Sequence, residues 1–166
     1  SGVSPVDERD AFRLEAPAGP VLATAEDGKA VVALVRRPAS QGDRVALIDA
    51  RTLRVRCSHA LVKGVRYNGL LLGRSGRFYA FGNRSSGVRG RWDAVLTIGD
   101  GETGALQRTH TLRSAALPGE PARGAKDWYV YWAALSKDER RLVVSYHGGD
   151  TTGGDWYRVS RRHDVS

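Results

Sequence analysis

The residues best suited to chemistry lie in one glycine-rich stretch near the end of the sequence. It runs from His147 to Trp156, with Asp150 and Asp155 set among four glycines and two threonines. An imidazole and two carboxylates can ligate a metal or act as acid and base, and glycine lets backbone N–H groups approach an anion closely. The stretch holds no second histidine and no denser group of carboxylates. We therefore expect a non-catalytic ligand-binding loop here, rather than a metal site or a catalytic centre.

Arginine provides the second set of candidates. The net charge is +8, and 22 of the 26 basic residues are arginine. A guanidinium fork binds oxyanions in a bidentate manner, which suits a small anionic ligand or an acidic protein surface. The arginines are spread evenly along the chain, which favours a compositional bias and makes nucleic acid an unlikely partner. The arginines assigned to binding are those of two predicted loops: Arg36, Arg37, Arg84 and Arg91.

The elements that must position these loops form one strand pattern that occurs three times. Each copy has two short apolar runs joined by a tight turn, a polar loop, and then a further run. Gly28 and Gly76, in the first two tight turns, lie 48 residues apart. Repeats of roughly this length, each worth about four strands, are typical of propeller blades. The copies span 21–62, 69–112 and 128–166 behind an N-terminal segment of residues 1–20, and no segment has helical periodicity.

These copies resemble β-propeller repeat proteins of the surface-layer, lactonase-like (YVTN-type) kind. The matching residues are Asp27-Gly28-Lys29, Val45 to Asp49 with Thr52, Ser75-Gly76-Arg77, Thr103-Gly104, and Ser136 with Asp138. The resemblance implies an all-β fold of consecutive four-stranded antiparallel blades, about three of which are present. Propellers close with four to eight blades, so the remaining blades or a second copy of the chain would have to close the ring.

In such blades the loops between the second and third strands, and those between blades, open on one face. We therefore expect 36–44, 83–93 and 147–155 to form a rim together with 62–68 and 113–127. Loops on a rigid scaffold commonly carry binding sites. The predicted ligand-binding residues on this rim are Arg36, Arg37, Arg84, Arg91, His147, Asp150, Asp155 and Trp156.

The function that these features favour is a non-catalytic propeller module that binds a protein or a small anionic ligand on its loop rim. The alternative is a lactonase-like hydrolase that uses His147 and Asp150. The sequence has no Gly-x-Ser-x-Gly elbow, which argues against a serine nucleophile. It has no phosphate-binding loop, so no cofactor is expected, and a His-x-x-Asp spacing without a second histidine predicts no metal. No apolar run is long enough for a membrane span. Cys57 is the only cysteine, so no disulfide can form within the chain and cysteine usage does not identify the cellular compartment. A processed secreted or cell-envelope protein is favoured over a cytoplasmic one.

Overall fold

The computed structural model describes residues 21–26, 30–52, 54–85, 92–112, 127–149 and 156–165. Within those ranges the chain forms strands and turns and no helix, which confirms the predicted all-β class. The strands are β1 (Val21–Glu26), β2 (Ala30–Val35), β3 (Arg44–Asp49), β4 (Val55–Ala60), β5 (Val65–Leu72), β6 (Arg77–Ser85), β7 (Trp92–Asp100), β8 (Leu106–Leu112), β9 (Asp127–Leu135), β10 (Arg141–Gly149) and β11 (Trp156–Asp164).

The strands pair in sequence order into three antiparallel sheets. The first sheet holds β1 to β4, the second holds β5 to β8, and the third holds β9 to β11. Each sheet is an open meander, in which strands that are consecutive in the chain lie side by side and pair with each other. In the described part of the chain, β11 therefore pairs only with β10 and forms an edge of the third sheet.

The turns that close the outer hairpins follow from an aspartate placed three residues before a threonine. Asp49 accepts hydrogen bonds from the backbone N–H of Thr52 at 2.7 Å and of Arg51 at 3.0 Å. Asp100 accepts them from Thr103 and Glu102 at 2.9 and 2.7 Å. Such side-chain bonds stabilise the turn locally. The hydrogen bonds from the two threonine residues are also the largest reason that the pKa of each aspartate lies below its usual value.

The second sheet lies between the other two and contributes a buried layer to each side. One core combines residues of the first and second sheets, and another combines residues of the second and third. Strand alternation divides neighbouring residues between them, because successive side chains of a strand point to opposite faces. Phe78 thus belongs to the first core and Tyr79 to the second, and each ring is at most 1% exposed.

The strand pairings of the three sheets follow the same pattern, so their residues can be aligned with one another. The first strand of each sheet contains one extra residue opposite its partner strand, at Leu22, Asn68 and Tyr131. These bulges align Val35, Gly82 and Tyr146, which are the residues paired just before the extra residue in each sheet. The alignment makes positions in different sheets comparable one by one.

Several strand boundaries differ from the sequence prediction. β6 continues to Ser85 and β7 begins at Trp92, so both ends of the predicted rim loop 83–93, with Arg84, lie in strands. β5 begins at Val65, so the predicted rim segment 62–68 is mostly strand. β10 continues to Gly149, which places His147 in a strand and not in a loop. β11 reaches Asp164, so most of the tail 161–166, whose polarity argues against a core strand, belongs to an edge strand. An edge strand with only one neighbour tolerates this polarity, because charged side chains there do not enter a core.

Candidate functional site

Two of the predicted rim arginines donate hydrogen bonds to acceptors in the second sheet. Arg36 directly follows β2, and its Nη2 donates a hydrogen bond to the Tyr67 carbonyl at 2.5 Å. Arg84, near the end of β6, donates from Nη2 to the Thr111 hydroxyl at 3.1 Å. The Tyr67 hydroxyl is itself hydrogen-bonded to Thr97 at 2.6 Å. Burial is the main reason that the pKa of Tyr67 is raised, so this phenol stays protonated.

A buried carboxylate holds this end of the first sheet against the second. Asp43, which is 1% exposed, accepts hydrogen bonds from the backbone N–H of Tyr67 at 3.0 Å and of Arg37 at 3.2 Å. The Arg36 Nε lies 3.2 Å from the same carboxylate, as an ion pair without hydrogen-bond alignment. Sequence reasoning did not single out Asp43. Its only signal was a charged residue between a loop glycine and an apolar strand.

A second contact of the same kind joins the second and third sheets. The Asn83 side-chain oxygen accepts a hydrogen bond from the Val130 N–H at 2.9 Å, and the Asn68 amide donates to the Val130 carbonyl at 2.8 Å. Asn83 follows Gly82 as Arg36 follows Val35, so Arg36 and Asn83 hold the same register position. Tyr67 and Val130 likewise correspond. In both cases, the residue that directly follows the aligned position (Val35 or Gly82) contacts the first strand of the following sheet at one and the same register position.

The remaining rim candidates divide into three groups. The Arg37 guanidinium donates two hydrogen bonds to Gln41 Oε1, at 2.6 and 3.1 Å, and so bonds within the loop that connects β2 to β3. Arg91, Asp150 and Asp155 lie outside the described residues. His147 and Trp156 have described backbones, in β10 and β11, where they pair with Arg158 and Gly149 respectively.

The opposite end of the sheets carries a contact that the sequence did not indicate. Glu139, in the turn between β9 and β10, accepts hydrogen bonds from the Ser75 N–H at 2.7 Å, the Ser75 hydroxyl at 2.5 Å and the Tyr79 hydroxyl at 2.9 Å. It has a φ of +57°, whereas Gly76 has a φ of +81° at the corresponding turn position of the second sheet. A side chain at such a φ is strained, and the three hydrogen bonds to the second sheet offset that strain.

The electrostatics of this contact favour a structural role. Partial burial acts to raise the pKa of Glu139, but the hydrogen bonds from Ser75 and Tyr79 outweigh it and lower that pKa. Burial first, and then the neighbouring carboxylate, raise the pKa of Tyr79 to about 12. An ionised Glu139 and a protonated Tyr79 form a stable donor–acceptor pair at neutral pH. Neither group is tuned for proton transfer near pH 7.

Comparisons with known proteins do not identify a family for this chain. No protein-family model and no curated protein matches it. In the part of the chain that the structure describes, His, Cys, Asp and Glu side chains do not gather in threes as a metal ion would require. The same residues include no helix with the length and hydrophobicity of a membrane span. The propeller resemblance therefore stays a prediction from the sequence.

Proposed function

We propose that the three sheets are consecutive blades of a β-propeller, and that the chain is a non-catalytic module that binds a protein or a small anionic ligand on its loop rim. The observation that carries the propeller part is the repeated inter-sheet contact at one register position. Arg36 reaches Tyr67, and Asn83 reaches Val130. A contact that recurs from sheet to sheet supports one constant rotation between neighbours, as blades around an axis require.

The order of contacts between strands also supports this arrangement. The first strand of the second sheet, β5, lies against β1 and β2 of the first sheet. The first strand of the third sheet, β9, lies against β5, β6 and β7 of the second. First strands that approach one another in chain order are expected where blades converge on a shared axis.

Charge supports the proposal for the rim. In the described residues, this end of the first two sheets carries six basic residues against two acidic ones. The basic residues are Arg36, Arg37, Arg44, Lys63, Arg66 and Arg84, and the acidic ones are Asp43 and Asp93. Asp43 is buried and bonded to backbone N–H groups, so it contributes little to the surface. An excess of positive charge favours anionic partners and speeds their encounter.

The third sheet bears on how the ring closes. The positions that bury Leu34, Val45 and Leu47 in the first sheet correspond to Ser145, Ser160 and Arg162 in the third. In the second sheet the corresponding residues are Phe81, Leu96 and Ile98, which are also buried. Among the side chains that the structure describes, the exposed apolar ones on the third sheet's outer face are Trp132 and Val143, which are 51% and 38% exposed. Further blades, or a second copy of the chain, would pack on this face.

Amide chemical-shift mapping with an acidic peptide, such as a decamer of glutamate, tests the rim proposal. We expect saturable shifts confined to residues 36–44, 61–67 and 83–85. Arg37→Glu should abolish them, whereas the charge-matched control Arg56→Glu, on the exposed strand β4, should retain them. Shifts that spread over all arginines, or equal loss in both variants, would contradict a rim site. Light scattering on the wild-type chain separately tests whether two copies associate.

A further inference from the structure

The contact made by Glu139 borders an open pocket at the turn end of the sheets, away from the rim. The pocket has a volume of about 380 Å³ and lies between the β5–β6 turn and the β9–β10 turn. Pockets of this size hold small ligands. The residues that line it are Ser75, Arg77, Lys137, Asp138, Glu139, Arg140 and Val165.

The two carboxylates of this pocket are satisfied by uncharged donors. Glu139 accepts from Ser75 and Tyr79. Asp138 accepts from the Ser136 hydroxyl at 2.5 Å and from the Arg140 N–H at 3.2 Å. The hydrogen bond from Ser136 is the main cause that lowers the pKa of Asp138. Both carboxylates therefore stay ionised while their acceptor sites are occupied by neutral groups.

Arg77, Lys137 and Arg140 supply the positive charge of the pocket, and Arg77 also interacts with Tyr79 and Asp100, whose pKa values it acts to lower. Within the described residues, no salt bridge joins Arg77, Lys137 or Arg140 to a carboxylate. Two of them belong to the β9–β10 turn, and Arg77 begins β6. The hydrogen bonds from Ser75 to Glu139 bring these elements together although they are more than sixty residues apart in sequence. The pocket thus carries three cations against two ionised carboxylates, an excess of one positive charge, on turns that the Glu139 contact holds together.

We propose that this pocket, which we name the turn pocket, binds a phosphate group. This site is distinct from the rim of the proposed function and does not depend on it. Arginine and lysine together suit a tetrahedral dianion, because a guanidinium binds it bidentately and an ammonium acts as a point charge. The group would be free inorganic phosphate or a small phosphomonoester. Glu139 is a positioning residue, since it holds the two turns at the distance that the three cations need.

The test is a titration of the isotope-labelled chain at constant ionic strength, followed by amide chemical shifts. One series uses inorganic phosphate and another uses phosphoserine, which separates a free ion from a phosphomonoester as the ligand. We expect saturable shifts at residues 74–77 and 136–141 with at least one of them. Shifts that rise linearly without saturation, or that follow arginines across the whole surface, would overturn the proposal.

Two variants with a matched control sharpen the result. The double variant K137A/R140A should weaken binding by at least roughly tenfold, because a hydrogen bond to a charged group is worth about one to two powers of ten. The control R54A/R56A removes the same charge from exposed positions on and beside β4 and should leave binding within about twofold. Equal weakening in both would show a general charge effect and overturn the site.

Glu139→Gln tests the positioning role separately. Loss of a negative charge beside the pocket would by itself tighten anion binding. We expect weaker binding instead, because the amide cannot accept all three hydrogen bonds and the turns separate. Tighter phosphate binding in Glu139→Gln would contradict the positioning role.

Discussion

Removal of the Asp43 carboxylate should destabilise the chain more than removal of any exposed acid. In Asp43→Ala, the backbone N–H groups of Tyr67 and Arg37 lose their acceptor. Each unsatisfied buried donor costs about 1–3 kcal/mol. The half-buried Arg36, whose side chain is 22% exposed, also loses its counter-charge. Breaking one side of a buried ion pair costs about 3–5 kcal/mol. These costs overlap, and we expect a loss of about 3–5 kcal/mol in the free energy of unfolding.

Urea denaturation followed by tryptophan fluorescence measures this loss. Asp43→Asn should recover little of it, because its amide group would place a donor against a backbone N–H. In the double variant Arg36→Met with Asp43→Ala, the loss should be smaller than the sum of the single losses, since the two residues interact directly. The exposed control Glu102→Ala should stay within about 0.5 kcal/mol of the wild type. A loss below about 1 kcal/mol in Asp43→Ala would refute the reasoning, because that is less than one unsatisfied donor costs.

Three further outcomes follow from the same contacts. The pKa of Glu139 is lowered in the folded chain. The contribution of Glu139 to stability is therefore complete above its unfolded pKa of about 4.3, and it is lost as the pH falls through the lower folded pKa. Acid unfolding of the wild type should show this loss of stability, and Glu139→Gln should reduce the loss. In Gly69→Ala the new Cβ would lie 2.3 Å from the Phe81 ring, so thermal unfolding should show a loss of roughly 1–3 kcal/mol, and an unchanged melting temperature would contradict the packing between β5 and β6. We expect no hydrolysis of simple lactones by the chain; turnover that disappears in both His147→Ala and Asp150→Ala would instead support the lactonase-like alternative.

Local patterns were sufficient to predict the strands and most turns. The aspartate before each outer turn and the glycine at Gly76 identify where the chain reverses, because those residues form the turn through their own backbone neighbours. The all-β class followed from the same patterns. Strand ends were less certain: His147 was expected in a loop, yet β10 continues past it as a ladder with β9 and β11.

The contacts that join the sheets could not be predicted in this way. Asp43 bonds to Tyr67, 24 residues away, and Glu139 bonds to Ser75, 64 residues away. Nothing in the residues around Asp43 distinguishes it from an ordinary loop acid until the two sheets are packed together. Arg36 was predicted to bind a ligand, and the structure places it in the inter-sheet contact with Asp43.

The three sheets follow one another in chain order, with the second between the first and the third. Nuclear Overhauser effects from Phe78 and Tyr79, which are adjacent in sequence and point to opposite faces of β6, test this arrangement. We predict contacts from Phe78 to valine and leucine methyl groups of the first sheet, and from Tyr79 to Leu142 and Val144 of the third. Contacts from both rings to methyl groups of one and the same sheet would contradict the arrangement.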